Sequence, residues 1–143
     1  MGSVMTVTSP PLQTWLPLAA LPTAPGAARG HVRSVARERG LAGLAETAEL
    51  LVSELVTNAV QASRRPNTAS PPVIRLRVAC DGTALVIHVW DPCDDMPARR
   101  DARPDDVSGR GLLLVETLGK DWGAYRAAGG KVVWVLISLP ADP

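Results

Sequence analysis

The sequence predicts an α/β chain of the α+β kind, a two-layer sandwich in which a mixed, mostly antiparallel sheet carries helices packed on one face. Three observations predict it. The stretch from Leu44 to about Ser63 contains no Pro or Gly and repeats its apolar residues with a helical period. Asp81-Gly82 and Gly129-Gly130 each separate two strand-like runs and so signal β-hairpins. The order of elements, strand, helix, helix, then two hairpins with a helix between them, places the helices together over one sheet.

The elements justify themselves in turn. Residues 1–12 mix Ser, Thr, Met and Pro without a period and form a flexible tail, which leaves residues 13–140 as a single domain. Thr14 to Leu18 suits an edge strand, where Pro17 is tolerated. Pro25 suits the first turn of a helix running to about Arg39, and Gly40 ends it. In the next helix Leu44, Ala48, Val52, Leu55, Val56, Ala59 and Val60 share one arc. Arg64 to Pro72 is a loop, and Val73 to Val78 alternates as a half-buried strand returned by Leu85 to Trp90. Pro92 to Ser108 holds five Asp, three Arg and three Pro with hardly any large apolar residue, as a mobile, lid-like loop would. Gly111 to Leu118 is a short helix closed by Gly119, and Trp122 to Ala127 with Lys131 to Leu139 makes the last hairpin.

Composition bounds the function. The 143 residues can bury one core, which in the absence of Phe must be built from Leu, Val, Ala and Trp. Fifteen basic and fourteen acidic residues nearly cancel, so the chain lacks the field of a nonspecific nucleic-acid binder. Thirteen of the cations are Arg, which suits phosphate recognition but also follows from a compositional bias that raises Ala, Gly and Pro. Cys80 and Cys93 make no disulfide framework and no metal-ligand spacing with His31 and His88. Prolines at 10, 11, 17, 22 and 25 break every early apolar run, and a soluble cytoplasmic protein without membrane contact is expected.

Glu54 and Asn58 stand four apart on the long helix with Gln61 three further on, so all three project from one side, away from the apolar arc. By itself this is the polar stripe of any surface helix. Asp91, at the end of a strand, could equally cap the turn before Pro92. Ser53-Glu54-Leu55-Val56-Thr57-Asn58-Ala59-Val60, then Asp91, then Gly109-Arg110-Gly111-Leu112 opening a helix, occur in that order.

This succession resembles the GHKL ATPase superfamily, the group that includes the ATP domains of histidine kinases and gyrase. It is most similar to the small stand-alone bacterial anti-sigma-factor serine/threonine kinases. The likeness covers roughly residues 14–139, including Pro25-Gly26-Ala27-Ala28-Arg29 and Asp121-Trp122-Gly123. It implies the Bergerat ATP-binding fold, with ATP and Mg²⁺ as cofactors. Asn58 would be the Mg²⁺ ligand through its amide oxygen, and Glu54 the catalytic base or the group that orients the nucleophile. Asp91 would accept a hydrogen bond from the adenine amino group. Gly109 and Gly111 would let backbone approach the phosphates, with Arg110 and the helix opening at Gly111-Leu112 adding positive potential. The chain departs from the family's Asp-x-Gly-x-Gly after Asp91, reading Asp91-Pro92-Cys93-Asp94-Asp95. Both glycines are missing, and the two carboxylates weaken the hold on a triphosphate or recruit a second cation.

The resemblance implies a kinase that transfers the ATP γ-phosphoryl group to a small antagonist protein and binds a sigma factor, with a homodimer left open. The alternative is an ATP-gated partner-binding module without catalysis, and a third reading is an interaction domain that has lost nucleotide. A histidine kinase core is disfavoured, because no helical segment with a phosphoacceptor His precedes the domain.

Overall fold

The structure is a computed structural model that describes residues 11–64, 70–93, 118–119 and 121–139. The residues expected to form the tail before Pro11, most of the Pro92 to Ser108 loop and nearly all of the Gly111 to Leu118 helix lie outside the described residues. After a 3-10 turn at Leu12–Thr14 come β1 (Leu16–Ala19), α1 (Ala24–Glu38), a second 3-10 turn at Ala42–Leu44 and α2 (Ala45–Ser63). They are followed by β2 (Val73–Cys80), β3 (Ala84–Asp91), β4 (Asp121–Ala127) and β5 (Gly130–Ser138). The strands form one sheet in the order β1-β2-β3-β5-β4, and every described pairing is antiparallel. Both helices pack on one face.

Local sequence explains the helix limits. Pro25 sits in the first turn of α1, where its missing N–H has no partner to lose. The helix stops because Gly40 takes the left-handed conformation, at φ 73°. Gly40 N–H then donates to the Arg37 carbonyl at 3.2 Å and Leu41 N–H to the Ala36 carbonyl at 2.7 Å, which satisfies carbonyls the helix would leave bare. Leu41 itself is fully buried beneath the turn. The expected apolar arc of α2 is the buried one, with Leu51 added. On the α1 side of α2, Arg33 grips Glu49 with two hydrogen bonds of 3.1 and 2.7 Å, and this contact holds the Glu49 carboxyl below its ordinary range. Both groups are exposed enough for water to screen the pair, so its part in stability is small.

Alternation along the strands sorts the two faces. Ile74 and Leu76 of β2, Leu85, Ile87 and Val89 of β3, and Val135 and Ile137 of β5 join the helix residues in one core. Pro17, as expected, lies in an edge strand. The opposite face carries His88, Trp90, Trp134 and Tyr125, and Trp15 packs against His88 with ring centroids 5.7 Å apart. Among the described residues no helix is long and apolar enough to cross a membrane.

The last hairpin differs by one residue from the Gly129-Gly130 turn the sequence suggests. Ala127 pairs with Gly130, so the turn residues are Ala128 and Gly129, with φ of 51° and 80°. That sign at both positions matches the tight turn favoured between twisted strands. Gly130 is instead the first residue of β5, and a Cβ there would overlap the Asp91 carbonyl oxygen and lie 2.9 Å from Pro92 Cα. Glycine is needed because the backbone at the end of β3 comes that close.

Gly130→Ala should therefore destabilise the fold by about 2 kcal/mol or more, because backbone must shift. Gly129→Asn should change stability by less than about 1 kcal/mol, since Asn tolerates positive φ. Urea unfolding of the two variants measures the contrast. A second expectation concerns pH. Burial pushes the His88 imidazole below its ordinary value, and its Nδ1 has no hydrogen-bond partner among the described residues. The unfolded chain therefore takes up this proton first as pH falls, so the contribution is intact above about pH 6.5 and is lost progressively below it. Unfolding free energies at about pH 7.5 and about pH 5 should differ less in His88→Gln than in the wild type.

Candidate functional site

The candidate residues lie on one flank of α2 and at the end of β3, opposite the start of β5. On α2, Arg29 of the first helix donates from Nη1 to Ser53 Oγ at 2.9 Å, which marks the flank that faces α1. Glu54 follows Ser53 about 100° further round the helix, and Asn58 lies one turn beyond Glu54 on that same flank. Gln61 is exposed, but Glu54 and Asn58 are partly buried, so the stripe is not the plain solvent face the spacing alone allows. Asn58 is bordered by the buried residues Leu51, Leu55 and Ala59, and its Oδ1 is buried without a hydrogen-bond partner among the described residues.

An orphaned amide oxygen costs roughly 1–3 kcal/mol of desolvation. Buried polar groups are nearly always partnered in folded proteins, which makes this oxygen a candidate ligand-binding atom. A hard, neutral oxygen fits Mg²⁺, which keeps several waters and needs few protein ligands. No group of three or more His, Cys, Asp or Glu that could hold an ion occurs among the described residues.

Asp91 ends β3 on the helix side of the sheet and is 2% exposed. Its cross-strand partner is Lys131, 5% exposed, and Lys131 Nζ donates to Asp91 Oδ1 at 3.0 Å. The ammonium also donates to the Cys93 carbonyl at 3.2 Å, while Cys93 N–H donates to Asp91 Oδ1 at 2.8 Å. The carboxylate thus caps the turn at Pro92, as one reading of the sequence allows, and at the same time sits in a buried ion pair. Nearby, Trp90 Nε1 donates across β5 to the Ala127 carbonyl at 2.7 Å and ties the β4–β5 turn to the same end of the sheet.

Of the residues the sequence singles out, the structure puts Glu54 and Asn58 on one flank of α2 and Asp91 on the sheet face that α2 covers. Gly109, Arg110, Gly111 and Leu112 lie outside the described residues. Asp121 is exposed at the start of β4, and Trp122 packs against the core. A surface cleft lined by Trp15, Pro17, His31 and Arg77 contains none of the candidate residues. Sequence reasoning missed Lys131. Its signal was there: one of only two lysines in an arginine-rich chain, it stands at the head of an apolar run from Val132 to Ile137.

Substituting Asn58 by Leu should raise the stability of the protein without nucleotide by about 1 kcal/mol, because it removes an unpaired buried oxygen. Thermal unfolding checks this, and a marked loss of stability would mean that Oδ1 has a structural partner.

Comparison with known proteins identifies the family of the domain. The sequence pattern of the histidine kinase-like ATPase domain matches residues 18–137. No curated protein matches the chain. Among solved structures, the histidine kinase domain of the Erythrobacter litoralis EL346 blue-light activated histidine kinase is similar, with 24% identity and a TM-score of 0.51 over 80% of this chain and 61% of that one. The EL346 blue-light activated histidine kinase itself is similar at 25% identity and a TM-score of 0.52, over 80% of this chain and 40% of that one. The chain therefore spans less than two thirds of either protein it resembles.

Proposed function

The chain belongs to the histidine kinase-like (GHKL) ATPase domain family, and from that premise we propose that it is a Mg²⁺-dependent serine/threonine protein kinase of the anti-sigma-factor type. Its substrate would be a Ser or Thr hydroxyl on a small antagonist protein, and a sigma factor would be its second partner. The observation that best supports a site for Mg-ATP is the orphaned Asn58 Oδ1, one helical turn beyond Glu54. Bound Mg-ATP would supply the γ-phosphoryl group and the metal charge that offsets the phosphates. Asn58 would hold the metal through Oδ1. Asp91 would accept from the adenine amino group, and its burial would make that contact selective. Glu54 would receive the proton of the attacking hydroxyl, a role its partial exposure and lack of a side-chain partner among the described residues leave it open to fill.

Titration calorimetry with Mg-ATP, followed by mass spectrometry of the antagonist after incubation with ATP, tests the proposal. The wild type should bind Mg-ATP and phosphorylate the antagonist. Asn58→Ala should weaken binding by about tenfold or more. Glu54→Ala should bind nearly as well as the wild type while transfer falls by about a hundredfold. Undiminished transfer by Glu54→Ala would remove Glu54 from the chemistry. Tight binding without any phosphorylated product would leave the ATP-gated binding module as the function.

A further inference from the structure

We infer that Lys131 is a positioning residue for nucleotide selection: it holds Asp91 as a fixed acceptor, so that the pocket chooses a base bearing an exocyclic amino group over one bearing a carbonyl there. The inference rests on the proposed role of Asp91 toward adenine.

Three hydrogen bonds tie the group together, from Lys131 Nζ to Asp91 Oδ1, from Lys131 Nζ to the Cys93 carbonyl, and from Cys93 N–H back to Asp91 Oδ1. The two side chains are only 6% and 2% exposed, so water cannot compete for these contacts. Two consequences follow from elementary chemistry. An ionised carboxylate only accepts hydrogen bonds, whereas a carboxylic acid also donates. At a site this buried, desolvation favours the neutral acid, and the adjacent ammonium opposes it. A neutral Asp91 could turn its proton toward a carbonyl and admit the wrong base. A carboxylate held by Lys131 cannot. Lys131 therefore fixes the direction of the hydrogen bond that reads the base.

The second consequence is geometric. Cys93 occupies the first position where a glycine is expected after Asp91, and Lys131 holds its carbonyl while Asp91 holds its N–H. With both backbone groups of Cys93 engaged, the turn after Pro92 is fixed from the sheet, and the carboxylate is fixed with it. Arg at position 131 would keep the charge and the donors. Met would keep neither, and Gln would keep a donor without the charge.

Calorimetry with Mg-ATP and with Mg-ITP, whose base carries a carbonyl in place of the amino group, tests the role in the wild type and in Lys131→Met, Lys131→Gln and Lys131→Arg. Circular dichroism establishes that each variant is folded. The wild type should prefer ATP by at least about tenfold. The ratio should fall to within about threefold in the Met and Gln variants and return in the Arg variant. Should the Met variant fail to fold, the Gln variant carries the comparison. A change in overall stability alone would move both affinities together and leave the ratio in place. A wild-type preference for ATP that persists in a folded neutral variant overturns the role of Lys131 and leaves the ATP site standing. A wild type that binds neither triphosphate overturns the ATP site itself and this inference with it.

Discussion

The buried pair between Asp91 and Lys131 is the constraint on which this end of the molecule depends. Two opposite charges out of reach of water are tolerated only if each is paired and hydrogen-bonded, and removing one partner of such a pair typically costs about 3–5 kcal/mol. Asp91 and Lys131 are directly opposed in the register between β3 and β5. That register in turn brings Gly130 against the Asp91 backbone, where no side chain fits. The tight turn at Ala128 and Gly129 and the hydrogen bond from Trp90 to Ala127 then follow from the same arrangement. A stretch that reads as an ordinary hairpin is in this way committed to presenting one carboxylate.

The α2 flank works differently. Its core side is continuous from Ala48 to Val60, and the burial of those residues against β2, β3 and β5 secures the helix regardless of what its other side carries. Stability from the core lets the fold tolerate Asn58 Oδ1 without a partner. In the proposed function, structure and ligand binding are divided between two sides of one helix, with Asn58 on the boundary, partly buried beside the core side. A fully exposed amide would be satisfied by water, and one placed deeper could not reach a ligand.

Much of this was legible in the sequence because it depended on local rules. The helix limits near Pro25, Gly40 and Ser63, the edge position of Pro17, the alternation of Val73 to Val78 and the layering of both helices on one face all follow from chain-local preferences and period. The candidate residues Glu54, Asn58 and Asp91 were legible as an ordered set. What was not legible required knowing which strands are neighbours. Lys131 is 40 residues from Asp91, and nothing in either segment alone states that they face each other in a dry interior. The one-residue shift of the last turn has the same origin: two successive glycines satisfy a turn in either register, and only the approach of the Asp91 backbone assigns Gly130 to the strand. The partial burial of Asn58 was also hidden, since its spacing shows which side of the helix it takes but not how deeply that side is covered.

In the proposed function, Asn58 and the Asp91–Lys131 pair together form an adenine-nucleotide site. A crystal structure with Mg²⁺ and a non-hydrolysable ATP analogue tests it most directly. The adenine amino nitrogen should lie within hydrogen-bond distance of the Asp91 carboxylate, with Lys131 still donating to Oδ1 and Asn58 Oδ1 coordinated to the metal. A nucleotide bound elsewhere, or one bound here with Asn58 Oδ1 unengaged and the ion pair broken, would contradict it.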